Sequence, residues 1–205
     1  MPPPDELLDR IEDVLALGFG DFSFRRKSEP QRLASGTTRF IIALSYLGKA
    51  FASIDVDLNV AAEDIATESI PLLPLGDLGI NEPKSVICLA LPEQMAQKIH
   101  ALTEPPENGK QNHRFRDVFD LLLMEPLLKG EYTELAASCA RVFCEREKHA
   151  WPIGTFTFPT TWHAALTALA IENRYEISDA TDIEREFNRL LVRIEHLDLI
   201  AESNR

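Results

Sequence analysis

The stretch 91–124, LPEQMAQKIHALTEPPENGKQNHRFRDVFDLLLM, constrains the fold of this chain more than any other. It reads as two helices joined by a polar loop containing Pro and Gly. Pro92 suits a first helical turn, where its missing amide hydrogen is harmless, and Glu93 complements the positive end of the helix dipole. Leu91, Met95, Ile99 and Leu102 share one stripe, Lys98 lies on its border, and Glu93 and His100 fall on the opposite side, as surface residues would. In the second helix Phe115, Val118, Phe119 and Leu122 form the core stripe, while Asp117 and Asp120, three apart, share another face. Leu121, Leu123 and Met124 then make the helix apolar nearly all round, which predicts that it enters the interior. Asp120 is thus expected to be partly buried and to need a partner. Arg116, four residues earlier, is the local choice; Lys98, across the helix pair, is the other. A border lysine taken alone keeps its stem on apolar surface and its amine in water.

This helical stretch also divides the chain. Upstream, 5–17 has the spacing of an amphipathic helix ended by Gly18 and Gly20. Residues 22–27, 38–47 and 50–60 then read as strands, the last two forming an antiparallel hairpin, and 85–91 as a short buried strand. The connector 61–84 holds three prolines and shows no period. Downstream, 131–146, 159–172 and 180–197 read as helices. The class expected is α+β, a small mixed β-sheet with a flanking helix over 1–90 followed by a C-terminal helical bundle over 91–205.

In the strand 50–60 the period is two. Ala52, Ile54, Val56, Leu58 and Val60 face one way, and Ser53, Asp55, Asp57 and Asn59 the other. A half-exposed sheet accounts for this. Yet aspartates are poor strand formers, and two on one face, roughly 7 Å apart, repel each other. A divalent cation or a basic ligand would relieve that, and an oxygen-only set suits Mg2+.

Charge and cysteine usage limit the function classes. A net charge of −12 argues against broad affinity for nucleic acid. It is uneven, however: between Asp21 and Lys49 six basic residues face two acidic ones, which reads either as a solvated strand edge or as a landing site for phosphates or RNA. Cys88, Cys139 and Cys144 have no metal-site spacing and read as free thiols of a reducing, cytoplasmic setting. Neither a signal peptide nor an apolar run long enough for a membrane span is evident.

The helical pair resembles the paired motifs of the AbiEii/AbiGii toxin family of nucleotidyltransferases. LPEQMAQKIHAL and NHRFRDVFDLLLM are similar to that family's PEe..aEKlhAl and nsR.KDfyDL, and IDVDLNV to its iDv strand. Phe143–Arg146 and Trp162 sit where the family has tF..R and a tryptophan, so the resemblance spans about 5–197. It implies a DNA-polymerase-β-like nucleotidyltransferase fold, partial over 1–90, and a toxin of a type IV-like toxin–antitoxin or abortive-infection system. Such a toxin transfers a nucleotide from an NTP, with Mg2+, to an acceptor such as the 3′ end of tRNA, and has a cognate antitoxin. Carried onto this sequence, the resemblance makes Asp55 a metal carboxylate, helped by Asp57. Lys98 becomes the phosphate contact, Arg114 and Arg116 nucleotide-binding residues, and Asp117 and Asp120 the helical contribution to the catalytic set.

Three departures qualify that expectation. Arg116 stands where the family usually has lysine, which keeps the charge and changes its geometry. Gln97 replaces a glutamate beside Lys98. The family's front segment, a GGT- or GS-type turn with a DxD strand carrying two metal carboxylates, is not found upstream of Asp55. Two-metal transfer chemistry depends on those carboxylates. The expectation is therefore a truncated, inactive member, or else a remnant that binds nucleotide or antitoxin without transfer.

Overall fold

In the computed structural model, residues 4–33, 36–59, 65–72, 84–106 and 111–203 are described. The chain forms two compact units, Met1–Asp64 and Ile65–Arg205. The class is α+β, as the sequence predicts.

The first unit opens with helix α1 (Pro4–Ala16), stopped where Gly18 takes φ +63°. A side chain there would be strained by that φ, and its Cβ would sit 3.0 Å from the Phe22 carbonyl oxygen. The sheet comprises β1 (Phe22–Arg26), β2 (Gln31–Arg32), β3 (Thr38–Tyr46) and β4 (Lys49–Leu58). The apolar β3 is central, with β1 and β2 on one edge and β4 on the other. All pairings among the described strands are antiparallel, where a mixed sheet was expected. Short connections explain this: β3 and β4 are joined only by Leu47 and Gly48, both at positive φ, whereas parallel neighbours need a crossover of about a dozen residues.

Helix α1 lies against β1, and Arg26 bonds Glu12 of the helix at 2.5 Å. Residues paired across an antiparallel sheet share a face, so Phe24, Ile42 and Leu44 lie on the Arg26 side while Arg25, Ala43, Ser53, Asp55 and Asp57 lie on the other. Phe40, on the first face, is fully buried. The alternation read in β4 is present in its register, but Phe51 and Ile54 remain 65% and 48% exposed.

The second unit begins with a hairpin of β5 (Thr67–Pro71) and β6 (Ser85–Leu89). β5 falls inside the connector read as aperiodic; five residues, TESIP, are too few to show a period. Helices α2 (Leu91–Thr103), α3 (Phe115–Met124), α4 (Tyr132–Arg146), α5 (Thr160–Glu172) and α6 (Ala180–Ser203) follow. They share one core, to which α2 gives Met95, Ile99 and Leu102, and α3 gives Val118, Phe119 and Leu122. Leu121 is buried too, but Leu123 is half exposed, so α3 keeps one solvent face rather than running into the interior.

Two polar devices set the helices in place. Asn112 donates to the Ala101 and Leu102 carbonyls at 2.9 and 3.0 Å, closing the end of α2, and accepts from the Arg114 amide at 2.9 Å, opening α3. Trp162 of α5 pins the Asn112 carbonyl at 2.8 Å. The extended stretch 152–159 is held along α6: Glu195 accepts from the Ile153 and Gly154 amides, Asn188 pairs with both backbone groups of Phe156, and Glu184 accepts from the Phe158 amide. Cys88, Cys139 and Cys144 are not in disulfides. No helix among the described residues is long and apolar enough to cross a membrane.

Candidate functional site

The Asn112 joint brings α2 and α3 side by side, so that the border lysine of one faces the aspartate pair of the other. Lys98 Nζ donates to Asp117 Oδ1 at 2.9 Å and to Asp120 Oδ2 at 2.7 Å. Arg114 Nη1 donates to the second Asp117 oxygen at 3.2 Å. Asp117, 13% exposed, is thus clamped between two cations, while Asp120, 49% exposed, is held by Lys98 through one oxygen. The lysine chooses the facing helix over water. Arg116, the local alternative, is exposed and makes no ion pair among the described residues.

Burial works against the charged form of Lys98, but the hydrogen bonds to Asp120 and Asp117 outweigh it and hold the pKa above the usual lysine value. The ammonium therefore stays charged at neutral pH. It cannot act as a base; it can exchange a carboxylate partner for a phosphate oxygen. The Lys98–Asp120 pair, half open to water, contributes at most about 1 kcal/mol to folding, so stability alone gives little reason for it.

On the other side of α2 the charges are structural. Glu93 and His100, expected on the surface, are each 1% exposed, because α2 is covered by α4 as well as by α3. Glu93 pairs with Arg141 of α4, and Gln97 donates to it at 3.3 Å. Gln97 is thus occupied one turn back, on Glu93. A glutamate at 97 would set two carboxylates against one guanidinium.

His100 packs on Phe143 and His149 with ring centroids 4.8 Å away in each case, and its Nδ1 accepts from Arg146 at 3.5 Å. Burial, then the charges of Arg146, His149 and Lys148, push its pKa down to about 4. His149, bonded to Thr103 at 2.9 Å, is lowered by burial as well. Period counting missed these residues because it treats a polar side chain as a surface one. The available signal was a matching arginine or aromatic at helical spacing in α4.

Asp55 and Asp57 belong to the first unit and are described within it. The register sets Arg39 opposite Asp57, and the guanidinium forks onto both carboxylate oxygens at 2.6 Å. That hydrogen bonding lowers the Asp57 pKa. Asp55, opposite Ile41, makes no hydrogen bond with a described side chain. Of this pair, only Asp55 has oxygens that no described side chain occupies, and the described residues contain no group of three or more acidic, His or Cys side chains that could hold a metal ion. An ion that seeks near-octahedral oxygen coordination is not held by that set alone. Of the sequence-derived residues, Lys98, Arg114, Asp117 and Asp120 converge; Arg116 lies on the same helix outside the cluster.

The family model described as "Nucleotidyl transferase AbiEii toxin, Type IV TA system" matches residues 3–199. No curated protein is significantly similar to the chain.

Proposed function

The chain belongs to the AbiEii nucleotidyltransferase toxins of type IV toxin–antitoxin systems, and from that premise we propose that it moves a nucleotide from an NTP to an RNA acceptor, the 3′ end of tRNA. The family implies an NTP substrate and a cognate antitoxin. In this reading 1–90 is the nucleotidyltransferase half and 91–205 the helical half that grips the nucleotide. Lys98, held between Asp117 and Asp120, is the observation that carries it. The ammonium takes a phosphate oxygen of the NTP in place of Asp120, Asp117 keeps it aimed, and Arg114 and Arg116 add charge at the rim. Both carboxylates complete the helical contribution to the catalytic set. The family typically uses Mg2+, which neutralises triphosphate charge when bound; Asp55 is its candidate ligand here, and Asp57 would have to leave Arg39 to join it.

The Arg39–Asp57 fork favours a second reading, in which the fold binds nucleotide or antitoxin without transferring anything. One experiment separates the two. The purified chain is incubated with each radiolabelled NTP, Mg2+ and bulk tRNA, beside Lys98→Ala. Labelled tRNA, lost in the variant, supports transfer. Mg–NTP binding that Lys98→Ala weakens, with no labelled RNA, supports the second reading. Transfer that persists undiminished in Lys98→Ala contradicts the role given to the cluster.

A further inference from the structure

The outer edge of β1 is an open strand edge facing a helix. Phe22 exchanges both of its backbone hydrogen bonds with Phe19, at 2.9 and 3.0 Å, so its amide and carbonyl point away from β3. By the alternation of an antiparallel ladder, those of Phe24 and Arg26 point the same way, and no described strand pairs with them. Beside this edge runs a cleft of about 530 Å³, walled by Glu12, Leu15 and Ala16 of α1 and by the run 24–29, which brings three cations, Arg25, Arg26 and Lys27, against Glu12 and Glu29. Arg26 is occupied by Glu12 and Glu29, at 2.5 and 3.0 Å. Arg25 and Lys27 are exposed, and their side chains make no hydrogen bond or ion pair among the described residues.

The geometry points to this cleft as a docking site for an extended acidic segment of a partner protein, which adds to β1 as an antiparallel strand. The two features of the cleft select that partner together. Unpaired amides and carbonyls at Phe24 and Arg26 form a ladder that only another peptide backbone completes. The cations at Arg25 and Lys27 choose its charge, and a net charge of −12 discourages a long polyanion from the same spot. The register fixes the order of guest residues. Side chains directly opposite share a face, so from its N-terminus the guest has an acidic residue opposite Lys27, a small one opposite Arg26, an acidic one opposite Arg25 and an apolar one opposite Phe24. The last enters between Phe24 and Leu15. This surface lies wholly in the first unit and is independent of the nucleotide reading.

The test uses the full chain and a capped Gly-Glu-Ser-Glu-Val-Gly peptide, with binding measured by calorimetry at low salt. Binding is expected, and the double variant Arg25→Glu, Lys27→Glu is expected to weaken it at least about tenfold. The same variant should then bind Gly-Lys-Ser-Lys-Val-Gly, which also shows that it is folded. N-methylation of the Val nitrogen, opposite Phe24, should abolish binding, whereas N-methylation of the second Glu, whose amide points away from β1, should leave it intact. Equal affinity for the two methylated peptides overturns strand addition. Failure of the parent peptide to bind, or binding of a single-stranded RNA oligonucleotide in its place with the same dependence on Arg25 and Lys27, overturns the proposal.

Discussion

Helix α2 carries two charged clusters, one on each flank, and they differ in what surrounds them. Towards α4, Glu93 is sealed from solvent against Arg141 and Gln97. Towards α3, Lys98 bridges Asp117 and Asp120 in a cluster that opens progressively to water. Both are ion pairs between neighbouring helices. The first contributes to holding the helices together, since the buried Glu93 carboxylate has no water to replace Arg141. The second is poorly placed to stabilise anything and well placed to exchange a partner with a ligand. Depth, rather than the presence of a salt bridge, separates scaffold from site.

The sharpest way to break that contrast is at Glu93. Glu93→Ala leaves a void between α2 and α4 and reduces the part-exposed Arg141 to its pair with Glu145, and a loss of about 2–4 kcal/mol is expected in chemical denaturation. A loss below about 1 kcal/mol would place Glu93 with the solvent-screened pairs.

Next comes acid sensitivity at His100. Its pKa, about 4 when folded against 6.5 ordinarily, means that the unfolded chain binds the proton more readily. Stability is therefore full above about pH 6.5 and falls as the pH drops towards 4, by roughly 3 kcal/mol from this group. His100→Phe keeps the ring contacts with Phe143 and His149 and should remove this group's share of the pH dependence between 6.5 and 4, leaving that of His149. An unchanged profile would show that the ring is protonated at no extra cost.

Asn112→Ala should cost about 1–2 kcal/mol, because it uncaps the end of α2 and the start of α3 together. It should also weaken nucleotide binding by loosening the register between Lys98 and the aspartates. Loss of stability without any change in binding would detach the joint from the site.

The smallest stability effect is expected at Lys98. Because Arg114 still partners Asp117, Lys98→Ala should change the unfolding free energy by only about 1 kcal/mol.

The sequence made most of this fold legible because its elements are long and periodic: the helical spacing in 5–17 and 91–103 and the two-residue alternation in 50–58 survive in the structure. β5 was hidden by its brevity. The antiparallel character of the whole sheet depended on connections that periodicity does not describe. Within the site, Lys98, Asp117 and Asp120 stood out because each was a charge where packing alone asks for none. Glu93 and His100 carry the same mark but fall on the polar side of the helical wheel, and only the placement of α4 reveals that this side of α2 is covered. Asp57 shows the converse: its alternation was correct, but its partner Arg39 is fixed by a strand register that no local pattern discloses.

The central claim is that the Lys98 cluster serves a ligand and the Glu93 cluster serves the fold. Melting temperatures of the wild-type chain, Lys98→Ala and Glu93→Ala, with and without saturating Mg–NTP, test it directly. The wild type should melt higher with Mg–NTP. Lys98→Ala should start at nearly the wild-type temperature and gain nothing from the ligand, and Glu93→Ala should start far lower yet still gain. A Lys98→Ala protein that melts as low as Glu93→Ala, or that gains as much from Mg–NTP as the wild type, would contradict it.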